Sequence, residues 1–116
     1  MHNNNNQMVI IYIKKLSTFN NIKNKKKIIE GRLYKGIFKS LKKNDLIEFC
    51  FKDEKIKENI KDFNKYKDFR EMLIVEGIQN LLPNIYNIEE GINIYNTYYP
   101  NRKNKNVLSI KFNVNY

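Results

Sequence analysis

The sequence has no tryptophan, one cysteine, one histidine, two prolines and four glycines among its 116 residues. Each scarcity excludes something. A lone Cys50 can form no internal disulfide and no cysteine metal cluster. Set in an apolar run, it reads as a small buried hydrophobe. His2, the single histidine, sits in the polar stretch HNNNNQ, which excludes a Ser-His-Asp triad and a histidine-based metal site. No metal and no other cofactor is expected. The longest apolar run is MVIIYI, Met8 to Ile13, far short of the ~20 residues a membrane helix needs. No secretory apolar stretch is visible either. The reading is a soluble, intracellular protein, cytoplasmic and monomeric in its simplest form, with no membrane partner.

Acids are scarce in one place only. Residues 14–43 hold eleven Lys/Arg and a single carboxylate, Glu30, while the rest of the chain balances eleven of each sign. The whole excess of +10 therefore lies in that segment. Asn, Lys and Ile are encoded by A/T-rich codons, so the lysine count alone argues little. That bias does not explain why acids avoid one segment. A localised basic surface points to a polyanion, most simply RNA or another nucleic acid or nucleotide. The plainer alternative is a solvated lysine face that aids solubility.

What is abundant is apolar volume. Eight Tyr and seven Phe can build one core, and the length fits one domain. Residues 1–7 read as a disordered Asn-rich tail and 8–116 as the domain. Met8–Ile13 reads as a buried strand. Ser17 is placed to cap a short helix carrying Leu16, Phe19 and Ile22 on one side. Ile28–Leu33 is a strand candidate, Asn44-Asp45 a turn, and Leu46–Phe51 an alternating strand. Over 56–64 the spacing of Ile56, Ile60 and Phe63 favours a helix. Asp68 to Leu82 reads as a helix broken at Gly77 and ended by Pro83. Asn87, with Glu90 three residues on, opens a helix through Tyr99. From Leu108 to Tyr116 apolar and polar residues alternate as a final strand. The order suggests an α+β domain, a small mixed β-barrel with flanking helices.

Two segments resemble a known family. IIEGRLYKG followed by LKKNDLIEF is similar to the Lys-x-x-Glu-x-Arg and Gly-Asp-x-Ile-x-Phe pattern of ASCH domains. The stretch from Asp62 to Pro100 resembles the second signature more closely, from Tyr66-x-x-Phe69 through Glu76-Gly77, Leu82-Pro83 and Glu89-Glu90-Gly91 to Tyr98-Tyr99. The resemblance covers about residues 8–116. It implies a PUA-like fold, a role in RNA binding, and a strand over 56–64 in place of the helix. Two departures matter. The usual Gly-Asp turn is Asn44-Asp45 here, which Asn tolerates because it accepts positive φ. Some small members hydrolyse acetylated cytidine with a Lys, a Thr nucleophile and a Glu. Glu30 stands at that Thr position and Ile28 at another, so the activity does not carry over.

The lone carboxylate now has a reading. On a strand, Glu30 and Arg32 share a face and can pair. The resemblance implies that these positions line a cleft between barrel and helices, with Lys27 in reach. The expected ligand residues are Lys27, Glu30, Arg32, Tyr66 and Phe69, the last two as stacking platforms. Core packing is the better reading for Phe69, which shares a stripe with Met72 and Leu73, and stays open for Tyr66. Glu76 reads either as a second cleft carboxylate or as a helix-end surface residue. Lys23, Lys25, Lys26, Lys39, Lys42 and Lys43 are expected to contact phosphates. Three functions follow. The first is an RNA-binding module. The second is a protein-interaction module whose basic face meets an acidic partner. The third is a hydrolase of a modified nucleoside, or a ribonuclease, with Lys27 as base, its pKa lowered by neighbouring Arg32, and Glu30 orienting it.

Overall fold

A computed structural model describes residues 6–112. In chain order the elements are β1 (Met8–Tyr12), α1 (Leu16–Lys23), β2 (Ile29–Leu33), a 3-10 turn (Gly36–Lys39), β3 (Leu46–Phe51), β4 (Glu54–Asn59), β5 (Asp62–Tyr66), α2 (Phe69–Glu76), α3 (Ile78–Leu81), α4 (Ile88–Tyr98) and β6 (Val107–Lys111). The strands form two three-stranded sheets, β1-β3-β4 and β2-β6-β5. β1 runs parallel to β3, and every other pair is antiparallel. This is the expected α+β class. Among the described residues, strand pairing closes no barrel. Between β4 and β5 the chain crosses from one sheet to the other: Ile60 N donates to Asp45 O at 2.8 Å and Lys61 N to Lys111 O at 2.7 Å. No helix among the described residues is long and apolar enough to cross a membrane.

β6 is the hinge of the packing because both its faces are buried. Leu108, Ile110 and Phe112 meet Val9, Ile11, Ile47, Phe49, Phe19 and Ile22 in a core between the sheets. Val107, with Ile29 and Leu33 of β2, faces Phe69, Met72, Leu73, Leu81 and Tyr95 in a second core under the helices. Each fully buried apolar side chain contributes about 1.5–3 kcal/mol. The alternation in β6 therefore ties two cores to one strand. The expected residues beyond Phe112, including Val114 and Tyr116, lie outside the described residues.

Several expectations change. β1 is an edge strand, so only Val9 and Ile11 are buried, while Met8, Ile10 and Tyr12 are exposed. Over 56–64 the chain is extended as β4 and β5, because Ile56 and Phe63 pack with the inter-sheet core from two different strands. Helical spacing was a coincidence of two strands. Ser17 caps nothing: α1 begins at Leu16, and the position before it is Lys15, which makes no side-chain cap. Leu16 is exposed, and Phe19 and Ile22 alone carry the buried face. The break at Gly77 is real, with φ of 90° and ψ of 120°, a region open mainly to glycine. Asn87 caps α4 by accepting from Glu90 N at 3.2 Å. Asn44 holds its turn at φ of 74°, and buried Asp45 accepts from Gln7 N and Lys42 N.

Candidate functional site

The path into β2 delivers Lys27 inward. After α1 the chain turns at Lys25, whose φ is 62°. Lys26 N and Lys27 N both donate to Asn21 O, at 2.9 and 3.0 Å. Ile28 N then donates to Asn80 O at 3.1 Å, docking the strand entrance on α3. Lys27 is only 5% exposed and Glu30 only 7%. The Lys27 ammonium faces Ile29 O at 3.0 Å, Leu81 O at 2.7 Å and Glu30 Oε1 at 3.3 Å. An ammonium has three donors, and these acceptors occupy all three. Glu30 Oε2 accepts from Arg32 Nε at 2.8 Å. A carboxylate is thus clamped between two cations, and Arg32 also lies 5.7 Å from the centre of the Phe38 ring.

The titration directions follow from burial and neighbours. Burial opposes the Glu30 charge, yet Lys27 and Arg32 together hold its carboxyl below the ordinary 4.5. Burial pushes Lys27 below its ordinary value, and Glu30 restores part of the difference. Arg32 is the smallest influence on Lys27, so the cause is desolvation rather than the like charge expected from the sequence. Arg32 is raised by Glu30, against its own burial. Beside this triad, the Tyr95 hydroxyl is buried and has no hydrogen-bond partner among the described residues. Burial raises its phenol well above the usual range. Gly31 makes the fit possible: a Cβ there would stand 2.6 Å from Met72 Cε and 2.9 Å from Tyr95 Oη.

The triad forms the floor of a cleft of about 410 Å³. Its walls are the β1–α1 junction (Tyr12, Lys14, Lys15), the end of α3 with the segment after it (Leu81, Leu82, Pro83, Ile85) and the end of α4 (Tyr95, Tyr98, with Tyr99 just beyond). Four cations and one carboxylate line it. Tyr12 and Tyr98 are exposed at 77% and 52%, so their rings are open to a ligand. Lys14, Lys15, Tyr12 and Tyr98 were not singled out from the sequence. The signal for the lysines was their place in the basic segment. For Tyr98 it was the Tyr98-Tyr99 pair ending a helix.

Two expected platforms lie elsewhere. Tyr66 does not line the cleft; its hydroxyl donates to Glu76 Oε2 at 2.6 Å, and burial with this bond pushes its phenol up to about 12. Phe69 is buried, stacked on Tyr95 at 4.4 Å and on Tyr99 at 5.4 Å between ring centres. It backs the cleft tyrosines without reaching the opening. Glu76 is no cleft carboxylate. It also accepts from Ser109 Oγ at 2.7 Å and pairs with Lys111 at 3.3 Å, which keeps it ionised under the second core. The expected phosphate lysines are all exposed but do not line the cleft. Lys23 pairs with Glu54, Lys43 with Asp62 and Lys42 with Asp45, and Lys39 lies over the Tyr34 ring.

Comparison with known proteins agrees with the fold. The model of the ASCH domain family matches residues 16–113. The crystal structure of the hypothetical protein PH0355 superposes with a TM-score of 0.80 at 34% identity, covering 90% of this chain and 96% of that one. The solution NMR structure of protein PF0455 from Pyrococcus furiosus gives a TM-score of 0.75 at 34% identity, covering 95% and 100%. No curated protein matches the chain.

Proposed function

The chain belongs to the ASCH domain family, and from that premise we propose that residues 8–116 form one PUA-like domain that binds RNA by taking an unstacked nucleotide into the cleft. The observation that carries this is the cleft's composition: four cations around a rigidly clamped carboxylate, with exposed tyrosine rings at the rim. The rings suit base stacking, which favours single-stranded segments. Arg32, Lys14 and Lys15 suit phosphate. Glu30 suits a base N–H or a sugar hydroxyl. Lys27, with its hydrogens engaged, fixes Glu30 rather than meeting ligand. Lys23, Lys25, Lys26, Lys39, Lys42 and Lys43 serve as outer, sequence-independent phosphate contacts, and Tyr66 and Phe69 support the cleft from behind.

Binding of single-stranded RNA should then fall steeply with salt, log K dropping by about 0.7 per phosphate contact against log salt. Arg32→Gln should weaken it at every salt concentration. Absence of measurable binding at about 50 mM salt sinks the proposal.

One observation favours a second reading, hydrolysis of a nucleic acid or modified nucleoside in the same cleft. Burial lowers the pKa of Lys27, which brings a lysine closer to base function. Three acceptors around Nζ favour the ammonium instead. Turnover of RNA or acylated nucleosides that disappears in Lys27→Ala and Glu30→Gln, with the fold intact, would establish an enzyme.

A further inference from the structure

A second cavity, of about 420 Å³, opens on the other side of α4. It lies between the start of α2, the outer side of α4 and the α4–β6 loop. Its lining includes Lys67, Arg102, Lys103 and Lys105, with Asp68 the only carboxylate. That carboxylate is engaged as the cap of α2, accepting from Glu71 N at 2.9 Å. Arg70, also in the lining, is neutralised by Glu89, which takes both its Nη groups. Among the described residues none of the other four cations pairs with a carboxylate. Arg102 contacts the backbone oxygens of Tyr99 and Pro100, at the end of α4. Lys67, Lys103 and Lys105 are exposed and directed by no ion pair.

This groove falls in the part of the chain whose charges sum to zero. Of the nearby acids, Glu89 pairs with Arg70, Glu76 with Lys111, Asp68 caps α2 and Glu71 accepts from Lys67 N, so the groove lining is net positive although the chain count there is balanced. The two cavities are back to back. Phe69 lines the groove and stacks on Tyr95 and Tyr99, which line the cleft. One helix end, about 10 Å across, separates them.

We propose that the groove is a second phosphate-backbone site, and that one single strand of RNA enters the cleft, crosses the end of α4 and runs through the groove. The proposal rests on the RNA reading of the cleft. The groove has no exposed ring in its lining comparable to Tyr98, so it holds backbone and not bases. It supplies affinity to longer strands and none to short ones.

The test compares a trinucleotide with an oligouridylate of about twelve nucleotides, within the range one small domain can contact. The variant is Lys67→Ala/Lys103→Ala/Lys105→Ala. A charge-matched control is Lys52→Ala/Lys55→Ala/Lys61→Ala, three exposed lysines on or beside the β3–β4 hairpin. The groove variant should lose about tenfold or more in affinity for the long strand, and its salt slope should flatten by about 2. Trinucleotide binding and the control should stay at wild-type values. Unchanged long-strand affinity and slope in the groove variant overturn the proposal while leaving the cleft reading intact. Equal losses in the control, or for the trinucleotide, also overturn it, since they report net charge or a single shared site. Failure of wild-type protein to bind either strand overturns both readings together.

Discussion

Lys27 is the residue whose setting matters most. A lysine stem reaches a dry position, and its charge is matched there by one carboxylate and two carbonyls. Removing one partner of such a set leaves an uncompensated charge, which costs about 3–5 kcal/mol. Lys27→Met should lower unfolding stability in urea by that order, with the fold retained if the domain has the usual margin. Glu30 gives the pH dependence. Its folded pKa lies below its unfolded value, so its contribution is complete above the ordinary 4.5 and disappears as pH falls through the folded value. Glu30→Gln should be less stable at neutral pH and should show a shallower loss of stability in acid, read as urea midpoints across that range. Tyr66 gives the opposite limb. Its phenol is raised to about 12, so stability held up to the ordinary 10.0 is lost between those values, and Tyr66→Phe should remove that loss. The Glu30–Arg32 contact was legible because strand residues two apart share a face. The burial of Lys27 was not, because it depends on Leu81 O, 54 residues away.

At the scale of elements, the site depends on a turn between two helices. Gly77 stops α2, and the redirected α3 brings Leu81 O over Lys27 and Asn80 O onto β2. An alanine at φ of 90° and ψ of 120° is strained by about 1–3 kcal/mol. Gly77→Ala should therefore lower the melting temperature and weaken RNA binding together, whereas Asn87→Ala, which removes a cap about 1 kcal/mol in value, should lower stability and leave binding per folded molecule unchanged. Parallel melting curves and binding isotherms separate the two. Glycine, proline and capping signals made these helix ends legible. The strands over 54–66 were not legible from periodicity, since β4 and β5 are short, partly exposed and belong to different sheets. Family resemblance supplied what the local pattern lacked. The same limit applies to Tyr66, expected as a cleft platform, whereas the core reading favoured for Phe69 matches its burial. Sequence order puts them beside the cleft signature, but Tyr66 at the end of β5 bonds Glu76, and Phe69 at the start of α2 stacks under α4.

For the whole molecule, charge counting pointed to a segment that lines the cleft, while the six lysines it named lie on the surface outside it. Residues 14–43 do supply the cleft, through Lys14, Lys15, Lys27 and Arg32. Lysines later in the segment are exposed, and some are drawn off by Glu54 and Asp62, acids contributed by the balanced remainder of the chain. A linear tally cannot see such pairing, because it is set by which surfaces the two sheets bring together. The proposed function turns on whether the cleft takes an RNA nucleotide. The most direct measurement is an amide chemical-shift titration of the labelled protein with a short single-stranded oligonucleotide. Binding in the cleft should give saturable shifts concentrated at Lys14, Lys15, Gly31, Arg32 and Tyr98, weakened by salt and lost in Arg32→Gln. Shifts confined to surfaces away from these residues, or none at all, would contradict it.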